Sequence, residues 1–185
     1  VEEDKKEVVI PFEELGVDQL FVDEADMFKN LAFQTGMENV SGVSKTGSQR
    51  SLDMYVKTRW LSRQHDGRGV VFATGTPISN TMNEIYTMQR YLAGDQLRDR
   101  DMTRFDRWAA MFGKLVTGLE PNPNGDGFRT IQRLSLTNLK TLGSMYREFA
   151  DVKMAEDLPH LKKPELKNGA RTIVEIAPTK AFKEF

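Results

Sequence analysis

Three acids follow directly on a short apolar run near the start of the chain. Residues 20–26 read LFVDEAD, so Asp23, Glu24 and Asp26 stand where a run of strand-forming residues ends. A carboxylate is costly to bury unless it is paired or holds a cation. An aspartate after a strand can hold Mg²⁺, and an adjacent glutamate can orient or deprotonate a water that attacks a phosphate. Alternatively, the acids only stabilise the N-terminus of a helix that begins near Ala25.

A second apolar run, residues 70–73 (VVFA), ends in the same abrupt way, in Thr74, Gly75, Thr76 and a proline. Two such runs, each followed by polar residues and a helical pattern, predict an α/β fold with a parallel sheet. Ligands bind outside the carboxyl ends of parallel strands. Both polar segments should therefore lie at the same edge of the sheet.

The polar residues at this edge can hydrogen-bond to one another. We expect the hydroxyls of Thr74 and Thr76 to donate hydrogen bonds to the carboxylate of Asp26 across the two strand ends. Such a contact would transmit the state of a bound phosphate from one strand end to the other. Gly75 either permits a close backbone approach or a positive φ, or it is an ordinary turn glycine.

The remaining pattern predicts the elements that connect and follow the two runs. The first run shows no alternation, which is typical of a parallel strand covered on both faces. Residues 34–50 are rich in glycine, serine and threonine and predict a loop. The other predicted elements are a helix opened by Ser51 with Leu52, Tyr55, Val56 and Trp60 near one face, a helix capped by Ser79 or Asn80, helices at about 102–113 and 137–150, a turn-rich excursion at 120–127, and a strand at 171–176.

Composition excludes several classes of site. The chain has 185 residues, of which 39% are hydrophobic and 29% charged, as in soluble globular proteins. No run approaches the length of a transmembrane helix, and the absence of cysteine excludes disulfides and thiolate metal sites. The net charge of −1 provides no overall basic field, so any contact with nucleic acid would need a local patch. We expect a reducing, cytoplasmic setting, and both ends suggest a piece of a larger protein.

The two strand ends carry a family resemblance. The segments LFVDEADMFKN and VVFATGTPISNTMNEIYTMQRYL resemble motif II (the Walker B, DEAD/DEAH-like element) and motif III of superfamily 2 helicase-type ATPases, most of all the Swi/Snf branch of DNA translocases. Phe105, Trp108 and Phe112 resemble the aromatic helices inserted after motif III. VKMAEDLPHL and RTIVEIAPTKAFKEF resemble the bridge into a second lobe. The chain is most similar to the helicase portions of large methylase–helicase fusions of phages and conjugative elements.

The resemblance implies a partial RecA-like P-loop NTPase lobe, a parallel sheet flanked by helices, with helical insertions. Residues 1–95 would be the latter part of the first lobe, 96–157 a helical insertion or bridge, and 158–185 the start of the connection to the second lobe. The implied cofactors are ATP and Mg²⁺. The resemblance implies that Asp23 binds the metal and that Asp23 and Glu24 are catalytic. The residues implied around the nucleotide are Asp23, Asp26, Thr74, Gly75 and Thr76. The residues implied to contact a nucleic-acid backbone are Lys29, Asn30 and Asn80, and the alternative is that these three are solvated surface residues.

The parent protein would hydrolyse ATP to move along or remodel DNA, most naturally a duplex. Its partners within the same polypeptide would be the phosphate-loop part of the first lobe and a second RecA-like lobe. The chain departs from the family in lacking a G-x-x-x-x-G-K-[ST] loop, since the GVSKTGS of residues 42–48 has no glycine in the required register. The isolated chain is therefore expected to be inactive. The alternative function is a non-catalytic protein- or DNA-binding module on a RecA-like scaffold.

Overall fold

The computed structural model describes residues 10–43, 45–79, 81–160, 169 and 173–179. The chain divides into two compact units, residues 1–150 and 151–185. Within its described residues, the first unit holds five strands and five α-helices, namely β1 (Leu20–Val22), β2 (Val40–Ser41), α1 (Gln49–Gln64), β3 (Val70–Phe72), α2 (Asn83–Leu92), α3 (Gly94–Asp99), α4 (Phe105–Phe112), β4 (Gly113–Pro121), β5 (Phe128–Leu136) and α5 (Leu139–Arg147). None of the helices in the described ranges combines the length and the apolar character needed to cross a bilayer.

Strands β1 and β3 pair in parallel, with Leu20 opposite Val70 and Val22 opposite Phe72. This pair flanked by helices confirms the predicted mixed α/β class and is compatible with a partial RecA-like lobe. The expectation that β1 is covered on both faces is wrong. Phe21 and Val71, which face each other in register, are 70% and 49% exposed, because the helices pack against the opposite face, where the rings of Phe72 and Tyr91 lie 5.2 Å apart.

Helix α1 begins two residues before the predicted Ser51. Its N-cap is Ser48, whose hydroxyl oxygen accepts the Ser51 backbone N–H at 3.1 Å. The predicted apolar face is wrong, since Leu52 and Val56 are exposed, whereas the small polar residues Ser51 and Thr58 are fully buried together with Leu61. Small side chains let α1 approach α2 closely, so that the Tyr91 hydroxyl reaches the Ser51 carbonyl at 2.8 Å.

Helices α2 to α5 enclose the main hydrophobic core. It is built from aromatic rings in mutual contact, and Trp108 is fully buried, with its indole N–H donating to Gln89 at 2.7 Å. The helices predicted at 102–113 and 137–150 are present as the shorter α4 and α5. The predicted cap of α2 is wrong in the case of Ser79, because the N-cap is Met82, and Asn80 lies outside the described residues. The buried residues of this core are Phe33, Ile85, Tyr86, Leu97, Met102, Phe105, Trp108, Ala109, Phe112, Leu142 and Met145.

A β-hairpin that the sequence analysis did not predict separates α4 from α5. Strands β4 and β5 pair antiparallel from Gly113 opposite Leu136 to Pro121 opposite Phe128, and β2 adds a short parallel strand beside β5. The turn-rich excursion expected at 120–127 contains the tip of this hairpin, where Gly125 and Gly127 adopt positive φ. The part of the chain predicted to be a helical insertion therefore also contains a β-hairpin.

The second unit has little regular structure in its described part. A short 3₁₀ turn covers Ala155–Asp157. Residues 173–179 form no strand, so the prediction of a strand at 171–176 is wrong for the residues that are described, and 171–172 lie outside them.

Candidate active site

The carboxyl ends of β1 and β3 meet at one edge, as predicted. The Val22 carbonyl accepts the Ala73 N–H at 2.8 Å, and the Ala73 carbonyl accepts the Ala25 N–H at 3.0 Å. These two bonds continue the ladder beyond the strands and hold the acids beside the TGTP segment. The geometry therefore assembles two separate sequence motifs into one polar rim.

Asp23 and Glu24 stand at the exposed tip of this rim. The Glu24 N–H donates to Asp23 Oδ1 at 2.9 Å, and Ala25, the next residue, is completely buried. Glu24 adopts a left-handed conformation with φ 50° and ψ 49°, which an L-residue with a Cβ adopts only at a cost. Strained residues of this kind concentrate at functional sites. The chain thus turns sharply at Glu24 and presents both carboxylates to solvent.

The donor set at this rim suits magnesium held together with a nucleotide. Among the described residues, no three acidic, histidine or cysteine side chains lie close enough to form a complete metal cage. Mg²⁺ does not need such a cage, because it keeps several waters and uses one or two carboxylates with the substrate phosphates. Asp23 would hold the ion in this way, and the bound metal would offset charge on the phosphates.

Asp26 and Thr74 form the contact that the sequence predicts across the strand ends. The Thr74 hydroxyl donates to Asp26 Oδ1 at 3.0 Å, and the Thr76 N–H donates to Thr74 Oγ1 at 3.1 Å. Of the three alternatives given for Gly75, a positive φ is excluded, since this glycine lies outside the left-handed region. A Cβ built on Gly75 would meet nothing within 4 Å, so its backbone faces open space at the rim.

Lys29 reaches a partner that sequence analysis missed. Its ammonium hydrogen-bonds to the Ser79 hydroxyl and lies 3.5 Å from Glu84 Oε1, and the two charged side chains are only 18% and 4% exposed. Glu84 Oε2 also accepts the Ser79 N–H at 2.6 Å. The signal available was an acid in the first turn of the helix after TGTPISN, where it can satisfy a free N–H. Lys29, Ser79 and Glu84 therefore join the two motif segments.

The structure shows less about Asn30 and Asn80, the other two residues predicted to contact nucleic acid. Asn30 is exposed, and its carbonyl accepts the Ser48 N–H at 2.9 Å. Asn80 lies outside the described residues. Lys29 matches neither interpretation in this structure, because its ammonium is engaged by Ser79 and Glu84 and is therefore neither solvated nor free to contact a nucleic-acid backbone.

The GVSKTGS segment occupies the wrong place for a phosphate cradle. It follows β2, which belongs to the sheet of the hairpin and not to the β1–β3 pair. A Cβ added at Gly47 would lie 2.4 Å from the Ala32 backbone nitrogen, so this part of the segment is packed against protein. The geometry supports the interpretation that the segment is no phosphate loop.

A buried tyrosine, Tyr91, hydrogen-bonds to the backbone of the segment that follows the acids. The Tyr91 hydroxyl lies 3.1 Å from the Phe28 carbonyl and 2.8 Å from the Ser51 carbonyl. Burial raises the pKa of Tyr91, so its phenol stays neutral and keeps its proton for these bonds. Helix α2 is thereby fastened both to the turn that follows the acids and to the start of α1.

Comparisons with known proteins relate this chain to a phage protein and to a protein family. Defense against restriction protein B of Escherichia phage P1 is 26% identical over 151 residues, which are 80% of this chain and 7% of that protein. The chain thus spans a small part of that relative's length. No solved structure matches this chain. A family described as "Probable helicase domain" matches residues 1–154, which include both motif segments and all five helices of the first unit. The chain therefore belongs to this helicase domain family.

Proposed function

We propose that this chain is part of an ATP-dependent DNA translocase of the Swi/Snf-like type, in which Asp23 binds Mg²⁺ and Glu24 activates the attacking water. One observation carries the proposal: the parallel β1–β3 pair brings the acids beside the Thr74 segment, with a Thr74–Asp26 hydrogen bond between them. In this arrangement, a change in the phosphates bound at Asp23 would be transmitted through the Thr74–Asp26 hydrogen bond to the segment that leads into α2.

Within this proposal each residue has a separate task. Asp23 offers a hard oxygen to the metal, and Glu24 accepts the proton of the water that attacks the terminal phosphate. Asp26, Thr74, Gly75 and Thr76 line the nucleotide side of the rim and couple the strand ends. Asn30, which is exposed, and Asn80 would contact a nucleic-acid backbone, whereas the ammonium of Lys29 would first have to leave Ser79 and Glu84 to do so.

The exposed face of the small sheet supports a partial lobe. Parallel sheets are normally buried on both faces, yet Phe21 and Val71 lie open on a two-stranded pair. We infer that further strands, including the one that carries the phosphate loop, complete this sheet in the parent protein, and that their crossover helices cover its open face. A second RecA-like lobe would close the site, in a cytoplasmic setting. The origin of the relative in a phage agrees with a parent among phage and conjugative-element fusions.

The test compares Asp23→Asn and Glu24→Gln in the longest natural polypeptide that contains these residues, with Glu38→Gln, an exposed acid away from the rim, as control. Loss of a general base costs roughly 10²–10⁴-fold in rate. We expect Glu24→Gln to lose hydrolysis to this extent while it still binds ATP with Mg²⁺, since binding does not need the base. We expect Asp23→Asn to lose hydrolysis as well, because it removes a charge from the magnesium shell. Hydrolysis rate, nucleotide affinity and melting temperature are measured on the same samples.

If the acids only stabilise a helix end, each substitution should cost about 0.3–1 kcal/mol of stability and leave turnover intact. Retained hydrolysis in Glu24→Gln would refute the role of general base. A wild-type parent that binds DNA but hydrolyses no ATP would favour the non-catalytic binding module.

A further inference from the structure

Two neighbouring cavities lie where the end of α1 faces α3. Their volumes are about 330 and 240 Å³, and both are lined by Arg59, Arg63 and Arg98. Arg90 joins them in the second cavity. We call these four residues and the space between them the arginine cleft.

The first cavity of the arginine cleft lies at the opposite edge of the sheet from the candidate active site. Helix α1 begins beside the acids, where the Ser48 N–H donates to the Asn30 carbonyl, and it runs back to the turn before β3. Asp66 and Gly67 of that turn line the first cavity. Gly69, just beyond them, accepts the N–H of Leu20, the first residue of β1, at 2.8 Å. The first cavity therefore lies at the amino ends of the strands, and neither cavity is lined by any residue of the site that would bind Mg²⁺ and ATP.

Positive charge in the cleft exceeds the negative charge that lines it. The two acids in the lining are Asp66 and Asp95, and Asp95 is held by Arg98 at 2.7 Å. Within the described ranges, neither Arg59 nor Arg63 has a carboxylate within ion-pair distance. The lining of the arginine cleft thus contains four guanidinium groups and two carboxylates.

The positions of the arginines are fixed by their surroundings. Arg90 donates to the Ala32 carbonyl at 2.7 Å and lies 4.9 Å above the Tyr55 ring. A Cβ added to Gly94 would lie 2.4 Å from Arg59 Nη1, so the absence of a side chain there lets the guanidinium lie against the start of α3. These contacts hold two of the four cations at the wall of the cleft before any ligand arrives.

The spacing along α1 is unfavourable unless an anion is bound. Arg59 and Arg63 are four residues apart, and like charges at this spacing destabilise a helix. Arg63 lies in the last turn, where a cation complements the helix dipole, but Arg59 lies outside that turn. A helix-end role therefore does not account for the pair, whereas a shared anionic ligand does.

We propose that the arginine cleft binds backbone phosphates of DNA, as a contact separate from the hydrolysis site. Guanidinium groups match phosphate oxygens in bidentate geometry, and such contacts position the protein without reading sequence. The choice of DNA as the source of the phosphates rests on the proposed function, whereas the preference for phosphate rests on the cleft itself.

The experiment measures binding of a mixed-sequence DNA duplex to the longest natural polypeptide, without nucleotide, over a range of salt concentrations. The test variant is Arg59→Gln with Arg63→Gln. The control is Arg129→Gln with Arg147→Gln, which changes net charge equally on exposed residues outside the cleft. Each phosphate contact contributes about 0.9 to the slope of log affinity against log salt. We expect the slope of the test variant to fall by about 1.8 and that of the control to be unchanged.

The single variant Arg63→Gln guards against misfolding, because this residue is exposed, and its slope should fall by about 0.9. Slopes of both test variants equal to wild type, or a wild-type protein that binds no duplex, would overturn the proposal. An acidic protein segment as the real ligand would give this same unchanged slope. ATP hydrolysis is measured in parallel, so that absent turnover with a reduced slope refutes the proposed function while the cleft proposal stands.

Discussion

At the scale of single residues, Glu24 combines backbone strain with its proposed role as general base. Its left-handed backbone lies between the end of β1 at Val22 and the fully buried Ala25, and its side chain is exposed. A non-glycine residue in this region costs about 1–2 kcal/mol relative to the right-handed conformation. The residue type at this position is therefore poor for stability, which is expected where function selects it.

Replacing Glu24 by asparagine should relieve that strain. Asparagine tolerates the left-handed region through local hydrogen bonds, so we expect Glu24→Asn to raise the free energy of unfolding by about 1 kcal/mol. Chemical denaturation of the 185-residue chain measures this change. Glu24→Gln is the matched control, because it removes the same charge and keeps the strain. Equal stabilities of the two variants would show that the backbone at Glu24 is not strained.

At the scale of elements, the turn after β1 and helix α2 are joined by Lys29 and Glu84. Both charged side chains are nearly withdrawn from water, and Glu84 also accepts the Ser79 N–H, so the segment between β3 and α2 is tied to the same point. Removing one partner of a buried ion pair leaves an uncompensated charge and costs roughly 3–5 kcal/mol.

We expect Lys29→Met to lower the free energy of unfolding by about 3 kcal/mol, at the low end of that range because the lysine keeps some exposure. Adding Glu84→Gln to Lys29→Met should recover part of the loss, since the uncompensated carboxylate is then gone. A double-mutant cycle in denaturant measures the coupling between the two residues. Additive effects of the two substitutions would show that the pair is not coupled in solution.

At the scale of the whole molecule, the first unit has a well-filled helical core and an open sheet. Aromatic rings fill the space among α2, α4 and α5, whereas Phe21 and Val71 lie uncovered on the β1–β3 pair. Parallel sheets are normally covered on both faces. Under the proposed function, further chain of the parent protein would cover this open face.

Phe21→Ser should act differently in the short chain and in the longest natural polypeptide. In the 185-residue chain the ring is already 70% exposed, and we expect little change in stability. In the longer protein the substitution should cost roughly 1.5–3 kcal/mol, the value for burying such a side chain. Thermal unfolding of both proteins tests this difference. Leu119→Ser, which removes a 71% exposed side chain from the hairpin, is the control and should be mild in both. A mild effect of Phe21→Ser in the longer protein would contradict a completed sheet.

Local patterns were sufficient for the elements that bear the motifs. An apolar run followed by acids or by TGTP predicted two parallel strands with one polar edge, and helical spacing predicted α1, α2, α4 and α5. The hairpin was missed although β-prone runs flank the turn-rich residues 122–127, a pattern that resembles many loops until both strands are seen paired. The buried face of α1 was predicted wrongly because hydrophobicity alone does not show which helix approaches closely enough to need small residues.

By itself, the sequence determined the mixed α/β class, the carboxyl edge of the β1–β3 pair and the contact between Thr74 and Asp26, because strand direction and polarity are encoded within a few neighbouring residues. Only the tertiary structure decided that Lys29 pairs with Glu84, that four arginines share one cleft, and that one face of the sheet is open. These features depend on how elements distant in sequence dock against one another. Docking is a sum of many small contacts over whole surfaces, which no single segment of the chain contains.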